Sequence, residues 1–245
     1  MQNLASGGPG LSSTRRRPTT VCLAALLLFF LTACGRPLTN TEAAFAQKIH
    51  GDQIDVERVR LVEGALVGSV TFQRQARPRV SCRERIVPPR KAEVVTVSPA
   101  AVVLFNRIFF THDWYTDDYL PGYPEVLSLI PAMLLAHEMT HVWQWQNRDR
   151  TGYSPFRAAA EHNASPDPYL FDLDGTPDLL DFGYEQQGAI VEEYVCCRAL
   201  APDAARTQRL HEMLSAAFPV ARLPEVRESD VYLPWKDVDL KGICD

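Results

Sequence analysis

The hydrophobic pattern predicts a mixture of helices and short strands. Residues 41–50 carry Phe45 and Ile49 four positions apart, on one face of a helix that Gly51 would end. Two longer helices are expected further along the chain, at residues 131–146 and from Glu185 through Cys197. Strands are expected where β-branched, aliphatic and aromatic residues are concentrated, at residues 54–62, 65–72, 93–97 and 101–110. No repeat divides these elements, so residues 34–245 are expected to form one domain.

A run of basic residues, interrupted by prolines, separates the second and third predicted strands. Charge runs of this kind are typical of solvated, irregular loops, and we interpret this one in that way. Contact with anionic envelope polymers is the alternative. The basic residues are Arg74, Arg77, Arg79, Arg83, Arg85, Arg90 and Lys91.

The first residues of the chain have the three parts of a secretory signal. Three arginines at residues 15–17 precede an apolar run at residues 21–31, and small residues follow it. Eleven apolar residues are too few for a membrane-spanning helix, which needs roughly 20, so an integral membrane protein is not expected. A buried core helix beginning at Thr20 is the alternative interpretation of this run.

The end of the signal is more specific. Leu31-Thr32-Ala33-Cys34 resembles the lipobox of bacterial lipoproteins, in which the cysteine is acylated and becomes the mature N-terminus. The resemblance implies a signal peptide at residues 1–33, a lipid on Cys34 and a membrane anchor. It also implies a periplasm-facing protein of the cell envelope, and Gly35 in place of Asp points to the outer membrane.

Charge excludes one broad class of function. The chain of 245 residues has 25 Lys and Arg against 30 Asp and Glu, for a net charge of −5. A nucleic-acid-binding protein normally presents a strong basic field, so no nucleic acid partner is expected.

The cysteines agree with export. Besides Cys22 in the signal and the candidate lipid site, the chain contains Cys82, Cys196, Cys197 and Cys244. Four cysteines can form two disulfides in an oxidising periplasm. A bond between the neighbours at 196 and 197 would be strained, so each is expected to bond to Cys82 or Cys244, with both pairings open. A four-thiolate zinc site is disfavoured because paired Cys-x-x-Cys spacing is absent.

The main candidate chemistry lies in the motif His137-Glu138-Met139-Thr140-His141. Two histidines four residues apart on a helix differ by only about 40° in direction, so both imidazoles can bind one zinc ion. Glu138 points about 100° away, which suits a proton acceptor for a zinc-activated water better than a ligand. A second copy begins at His211-Glu212 but lacks the last histidine. The alternative for the first copy is a pair of ordinary core histidines.

A catalytic zinc normally has a third protein ligand, and two segments offer one. The metzincin continuation is absent, since Gln144 and Asn147 replace its Gly and His. Residues 175–183 resemble the aspartate segment of aspzincins, which would make Asp178 the ligand, but with one extra residue before the aromatic. Glu185, followed three residues later by Gly188, resembles the glutamate helix of gluzincins, in which a small residue lets two helices approach closely. We favour Glu185; Asp178 and Glu192 remain alternatives.

The two helices together resemble the metallopeptidase domain assigned to Vgr-related proteins and to core proteins of contractile injection systems. The resemblance covers about residues 101–200 and rests on short motifs. It implies an α+β fold: a minimal zincin-like domain with an active-site helix, a second ligand-bearing helix and a small sheet. It also implies zinc as cofactor and a secretion-system or envelope partner.

One departure from the gluzincin pattern concerns the support of the first histidine. Gluzincins often have an Asp that orients the first histidine, and Ala189 occupies its place here. Support for His137 must therefore come from another residue. Glu192 is a candidate, since it lies two turns after Glu185, and a partly exposed helix glutamate is the alternative. Tyr153, His162 and Tyr184 are candidates for stabilising an oxyanion, and their spacing does not choose among them.

The expected function is zinc-dependent hydrolysis of peptide bonds by a membrane-anchored lipoprotein. His137, His141 and Glu185 would hold Zn²⁺, Glu138 would be the base, and a peptide or protein would be the substrate. A non-catalytic zincin-like protein that serves as an envelope binding or assembly component is the competing hypothesis.

Overall fold

The computed structural model describes residues 35–65, 71–175, 178–236 and 238–245. Residues 35–245 cluster as one compact unit. The predicted signal peptide, the lipid site Cys34 and most of the strand expected at residues 65–72 lie outside the described residues. Within the described ranges, no helix is long and apolar enough to cross a membrane.

The architecture is α+β, as expected. Its helices are α1 Asn40–His50, α2 Cys82–Arg85, α3 Leu129–Gln146, α4 Arg148–Thr151, α5 Pro155–Ala164, α6 Tyr184–Leu200 and α7 Ala205–Ala217. Its strands are β1 Arg60–Glu63, β2 Phe72–Gln75, β3 Val94–Val97, β4 Ala101–Leu104, β5 Arg107–Phe110, β6 Leu127–Ser128 and β7 Val231–Tyr232. Short 3₁₀ turns are found at Gly51–Gln53, Val56–Arg58, Leu179–Asp181 and Glu228–Asp230.

Helix α1 begins and ends where the sequence predicts. Thr39 and Glu42 form a reciprocal capping box that satisfies the free amides of the first turn. Gly51 ends the helix at a φ of 62°, a conformation that glycine adopts without strain. Phe45 and Ile49 are buried in the core, as their spacing predicts.

Two strand predictions are wrong in extent. Residues 54–62 begin as a 3₁₀ turn, and only Arg60–Glu63 joins the sheet as β1. Residues 101–110 form a hairpin rather than one strand: β4 and β5 are antiparallel, and β1 lies parallel to β5 in the order β1-β5-β4. The polar Asn106 marks the turn, which the continuous apolar pattern around it conceals.

Helices α3 and α6 form the centre of the unit and pack along each other. Both are buried on most faces, which explains why α3 lacks a polar side. Pro131 lies in the first turn of α3, where its missing N–H costs no intrahelical hydrogen bond. The two predicted ligand-bearing helices are therefore neighbours in the core.

The interpretation of the basic run as a solvated loop is wrong for several of its members. Arg77 makes two hydrogen bonds to Asp167, of 2.5 and 2.8 Å, and its side chain is 5% exposed. Arg83 pairs with Glu192 of α6, and Arg85 donates to the carbonyl of Gly242. These partners lie 90 or more positions away in sequence, so the local charge pattern carries no sign of them.

Two disulfides join this segment and the C-terminus to α6. Cys82 is bonded to Cys196 and Cys197 to Cys244. The prediction that the adjacent cysteines take separate partners is confirmed, and the structure selects one of the two open pairings.

Candidate metal centre

Three side chains from α3 and α6 bring one donor atom each to a common point. The Nε2 atoms of His137 and His141 are 3.1 Å apart, and Glu185 Oε2 lies 3.2 and 3.4 Å from them. All three residues are buried. An ion with tetrahedral geometry and bonds of 2.0–2.1 Å separates its ligand atoms by about 3.3–3.4 Å, so this donor triangle has dimensions that fit zinc.

The close approach of the two helices depends on Gly188. A Cβ atom at this position would lie 2.6 Å from Cε1 of His137 and 2.8 Å from both ring nitrogens. Only glycine leaves room for the imidazole here. The small residue expected three positions after Glu185 therefore faces the first histidine of the motif.

Gln144 holds the second histidine. Its Oε1 lies 2.8 Å from Nδ1 of His141, and its amide nitrogen donates to the carbonyl of Tyr184 and to Gln187. Because Gln144 Oε1 can only accept, it selects the tautomer in which Nδ1 of His141 carries the proton. Nε2 then has a free lone pair for a metal. The spacing of three residues between His141 and Gln144 on one helix is the only sign of this role in the sequence.

Helix α5 supports the third candidate ligand. His162 Nε2 lies 3.2 Å from Oε1 of Glu185, on the carboxylate oxygen that does not face the histidine pair. Glu161 accepts hydrogen bonds from the backbone N–H groups of Tyr184 and Glu185 and so caps the first turn of α6. His162, considered above for an oxyanion, instead contacts Glu185.

The first histidine is supported less directly. Its Nδ1 is buried and has no hydrogen-bond partner among the residues that the structure describes, and Glu192 Oε2 lies 3.7 Å away. Glu192 is 6% exposed, so its interpretation as a partly exposed helix glutamate is wrong. Tyr169 packs beside the His137 ring, with a centroid distance of 5.7 Å.

The buried imidazoles and carboxylates of this centre shift one another's pKa values. Burial acts to lower the pKa of His137, but its interactions with Glu185 and Glu192 outweigh burial and raise this pKa to about 10. Burial acts to raise the pKa of Glu185, yet His141, His137 and His162 hold it well below its usual range. Cationic partners therefore stabilise the carboxylate, and metal binding would displace protons from the histidines.

Glu138 is adjacent to the triangle in sequence and is not part of it. Burial raises the pKa of its carboxyl, against the opposing charges of His137 and His141. A carboxylate with a raised pKa is a better proton acceptor near neutral pH than an exposed one.

Other predicted residues lie elsewhere or have other contacts. Asp178 is exposed and caps the 3₁₀ turn at Leu179–Asp181 through a 3.1 Å bond from the Leu180 N–H. Tyr153 is buried and stacks on His141 at 6.0 Å between ring centroids. His211, in the incomplete second motif, contacts the Tyr194 hydroxyl and lines a separate cavity of about 130 Å³ that includes none of the three candidate ligands.

No protein-family profile matches the chain. Two other comparisons with known proteins each find a similar protein, the first among solved structures. The effector domain of Pseudomonas aeruginosa VgrG2b has 24% sequence identity and a TM-score of 0.46, covering 82% of this chain and 96% of that domain.

The second finding comes from curated sequences. The chain is 27% identical over 164 residues to the type VI secretion system spike protein VgrG2b of Pseudomonas aeruginosa. The match covers 65% of this chain but only 13% of that protein. The chain is thus similar to part of a type VI secretion spike protein, in agreement with the Vgr-related resemblance of its motifs.

Proposed function

We propose that this protein is a zinc-dependent peptidase, with zinc held by His137, His141 and Glu185. The observation that carries the proposal is the donor triangle of 3.1–3.4 Å, buried and surrounded by carboxylates. Bound zinc acts as a Lewis acid and lowers the pKa of water, which supplies a nucleophile at neutral pH.

Each side chain around the donor triangle has its own role in the proposed reaction. Gln144 keeps His141 in the metal-binding tautomer, and His162 holds the orientation of Glu185. Glu138 accepts a proton from the attacking water and passes it to the leaving amine. Tyr153, beside His141, is the candidate for stabilising the oxyanion of the substrate.

The test compares matched substitutions in the two copies of the His-Glu-Met sequence. Glu138→Gln keeps size and hydrogen bonding but removes the proton acceptor, so we expect zinc to remain while peptide hydrolysis falls about 10²-fold or more. Glu212→Gln is the control, because Glu212 is exposed in the incomplete motif. Equal hydrolysis by the parent and Glu138→Gln proteins would exclude Glu138 as the base.

Metal content and peptide turnover, measured together, separate catalysis from the competing hypothesis. A purified chain that binds about one zinc yet cleaves no peptide library, peptidoglycan peptide or envelope protein would favour a non-catalytic envelope component. A chain that cleaves peptides only when zinc is bound supports the peptidase.

We also propose that the protein works at the cell envelope, as a lipoprotein anchored through Cys34. The lipobox supports the anchor, and the four remaining cysteines, paired in two disulfides, support an oxidising compartment. Similarity to a type VI secretion spike protein supports a partner or target connected with such a system.

A further inference from the structure

The disulfide Cys82–Cys196 lies one helical turn from Glu192. Cys196 and Glu192 are four residues apart on α6, so they share a face of the helix. Because Cys196 is bonded to Cys82, the next residue in the chain, Arg83, is brought opposite Glu192 and forms an ion pair with it. The disulfide, together with a 3.0 Å hydrogen bond from the Cys82 N–H to Glu193 Oε1, therefore holds the start of α2 where this guanidinium lies.

The segment that contains Arg83 also contacts Tyr169, a second neighbour of His137. The guanidinium groups of Arg77 and Arg83 lie 4.9 and 5.6 Å from the ring centroid of Tyr169, which packs beside His137. Arg77 also binds Asp167, two residues before that tyrosine. Residues 77–83 thus hold both Glu192 and Tyr169, which are neighbours of His137.

We propose that Arg83 is a positioning residue for the metal centre, acting through Glu192 on His137, and that the Cys82–Cys196 disulfide keeps it in place. The inference rests on the proposed function. Glu192 shares a buried region with Glu138 and Glu185, so three carboxylates repel one another there. Arg83 offsets that repulsion and directs Glu192 Oε2 towards Nδ1 of His137, which has no other polar partner among the described residues.

This arrangement makes zinc affinity depend on the oxidation state of the chain. Formation of the Cys82–Cys196 bond removes two electrons and two protons from the two thiols. An oxidised partner that contains a disulfide accepts them, and its own S–S bond is reduced to two thiols. In the reduced chain, no covalent bond holds α2 against α6. The metal centre then reaches its full zinc affinity only after the chain enters an oxidising compartment.

The neighbouring disulfide provides a matched control. Cys197–Cys244 ties the C-terminus to the same helix, but Cys197 points about 100° away from Cys196. Its partner segment contacts Arg85 rather than Glu192 or Tyr169. Loss of this second bond removes a comparable cross-link without releasing Arg83.

The experiment measures zinc affinity of the full chain by competition with a chromophoric chelator. Loss of an outer-shell partner typically costs 10- to 100-fold in metal affinity, and we expect a loss in that range for Arg83→Met and for Cys82→Ser/Cys196→Ser. Arg83→Lys should recover part of the loss, and Cys197→Ser/Cys244→Ser should stay within about twofold of the parent. The visible spectrum of bound Co²⁺ should change in Arg83→Met and in Cys82→Ser/Cys196→Ser. Thermal unfolding reports whether each variant is folded.

The outcomes are distinguishable. Zinc affinity equal to the parent in folded Arg83→Met overturns the positioning role, and parental affinity in folded Cys82→Ser/Cys196→Ser overturns the redox dependence. If the double variant does not fold, titration of the Cys197→Ser/Cys244→Ser protein with and without tris(2-carboxyethyl)phosphine, a reductant without thiols, decides the redox dependence of the remaining Cys82–Cys196 bond, and equal affinity overturns it. A parent that binds no zinc overturns the proposed function and this inference with it.

Discussion

Replacement of Gly188 by alanine should disrupt the metal centre while leaving the fold in place. The new Cβ would lie 2.6 Å from Cε1 of His137, whereas ordinary contacts begin at 3.4 Å, so the imidazole must retreat by about 0.8 Å. Metal–ligand distances tolerate only about ±0.2 Å. His137 therefore cannot keep its bond to zinc without rearrangement of the site.

This change should weaken zinc binding strongly and leave the stability of the metal-free protein nearly unchanged. Displacing a ligand should cost more than losing an outer-shell partner, so we expect zinc affinity to fall at least about 100-fold. Alanine is about 1 kcal/mol more favourable than glycine inside a helix, which offsets the cost of moving the ring in the metal-free protein. The unfolding midpoint without metal should then change little.

The assay is chelator competition on metal-free protein, combined with urea unfolding. Gly175→Ala is the matched control, because a Cβ there meets no atom of the described part of the chain within 4 Å. Zinc affinity within twofold of the parent for Gly188→Ala would refute the argument that this close approach shapes the centre.

Three further predictions address the metal, export and stability. His141→Ala should remove most bound zinc, measured by elemental analysis, and His211→Ala should not; full zinc retention in His141→Ala contradicts the ligand assignment. Cys34→Ala should prevent acylation and release the protein from membranes or leave it unprocessed, and fractionation identical to the parent would contradict the lipobox. Burial lowers the pKa of His50 to about 3, so the stability due to neutral His50 is fully present above pH ~6.5 and is lost as the pH falls towards 3. Between pH 7 and 5 the free energy of unfolding, measured with urea, should fall by about 2 kcal/mol in the parent and by less in His50→Leu. Identical pH dependence in the two proteins would exclude this effect of His50.

The parts of the site that lie on single helices could be predicted from spacing. His137 and His141 are brought together by the period of α3 alone, whereas the choice of Glu185, 48 positions after His137, rested on the resemblance to the gluzincin helix. The glycine three residues after Glu185 also carried a usable signal, because helices approach closely only where a side chain is missing. The spacing of the two histidines and that of Glu185 and Gly188 are local, so the sequence contains them, but the contact between the two helices is not local.

The supporting contacts could not be predicted, because they join distant segments. Arg83 meets Glu192 across 109 positions, and its interpretation as a solvated residue ignored a partner that only the fold supplies. His162 meets Glu185 across 23 positions and from a different helix. The division of residues 101–110 into a hairpin was missed because Phe105, at a φ of 62°, occupies a turn position that glycine normally takes.

The most direct test is a crystal structure of the zinc-loaded protein, with data collected at the zinc absorption edge. The account predicts one ion within about 2.0–2.2 Å of Nε2 of His137, Nε2 of His141 and Oε2 of Glu185, with Glu138 close by but not bound to it. An ion bound by Asp178 or Glu192 with Glu185 turned away would contradict the choice of third ligand. An anomalous map with no peak between His137 and His141 would contradict the metal centre itself.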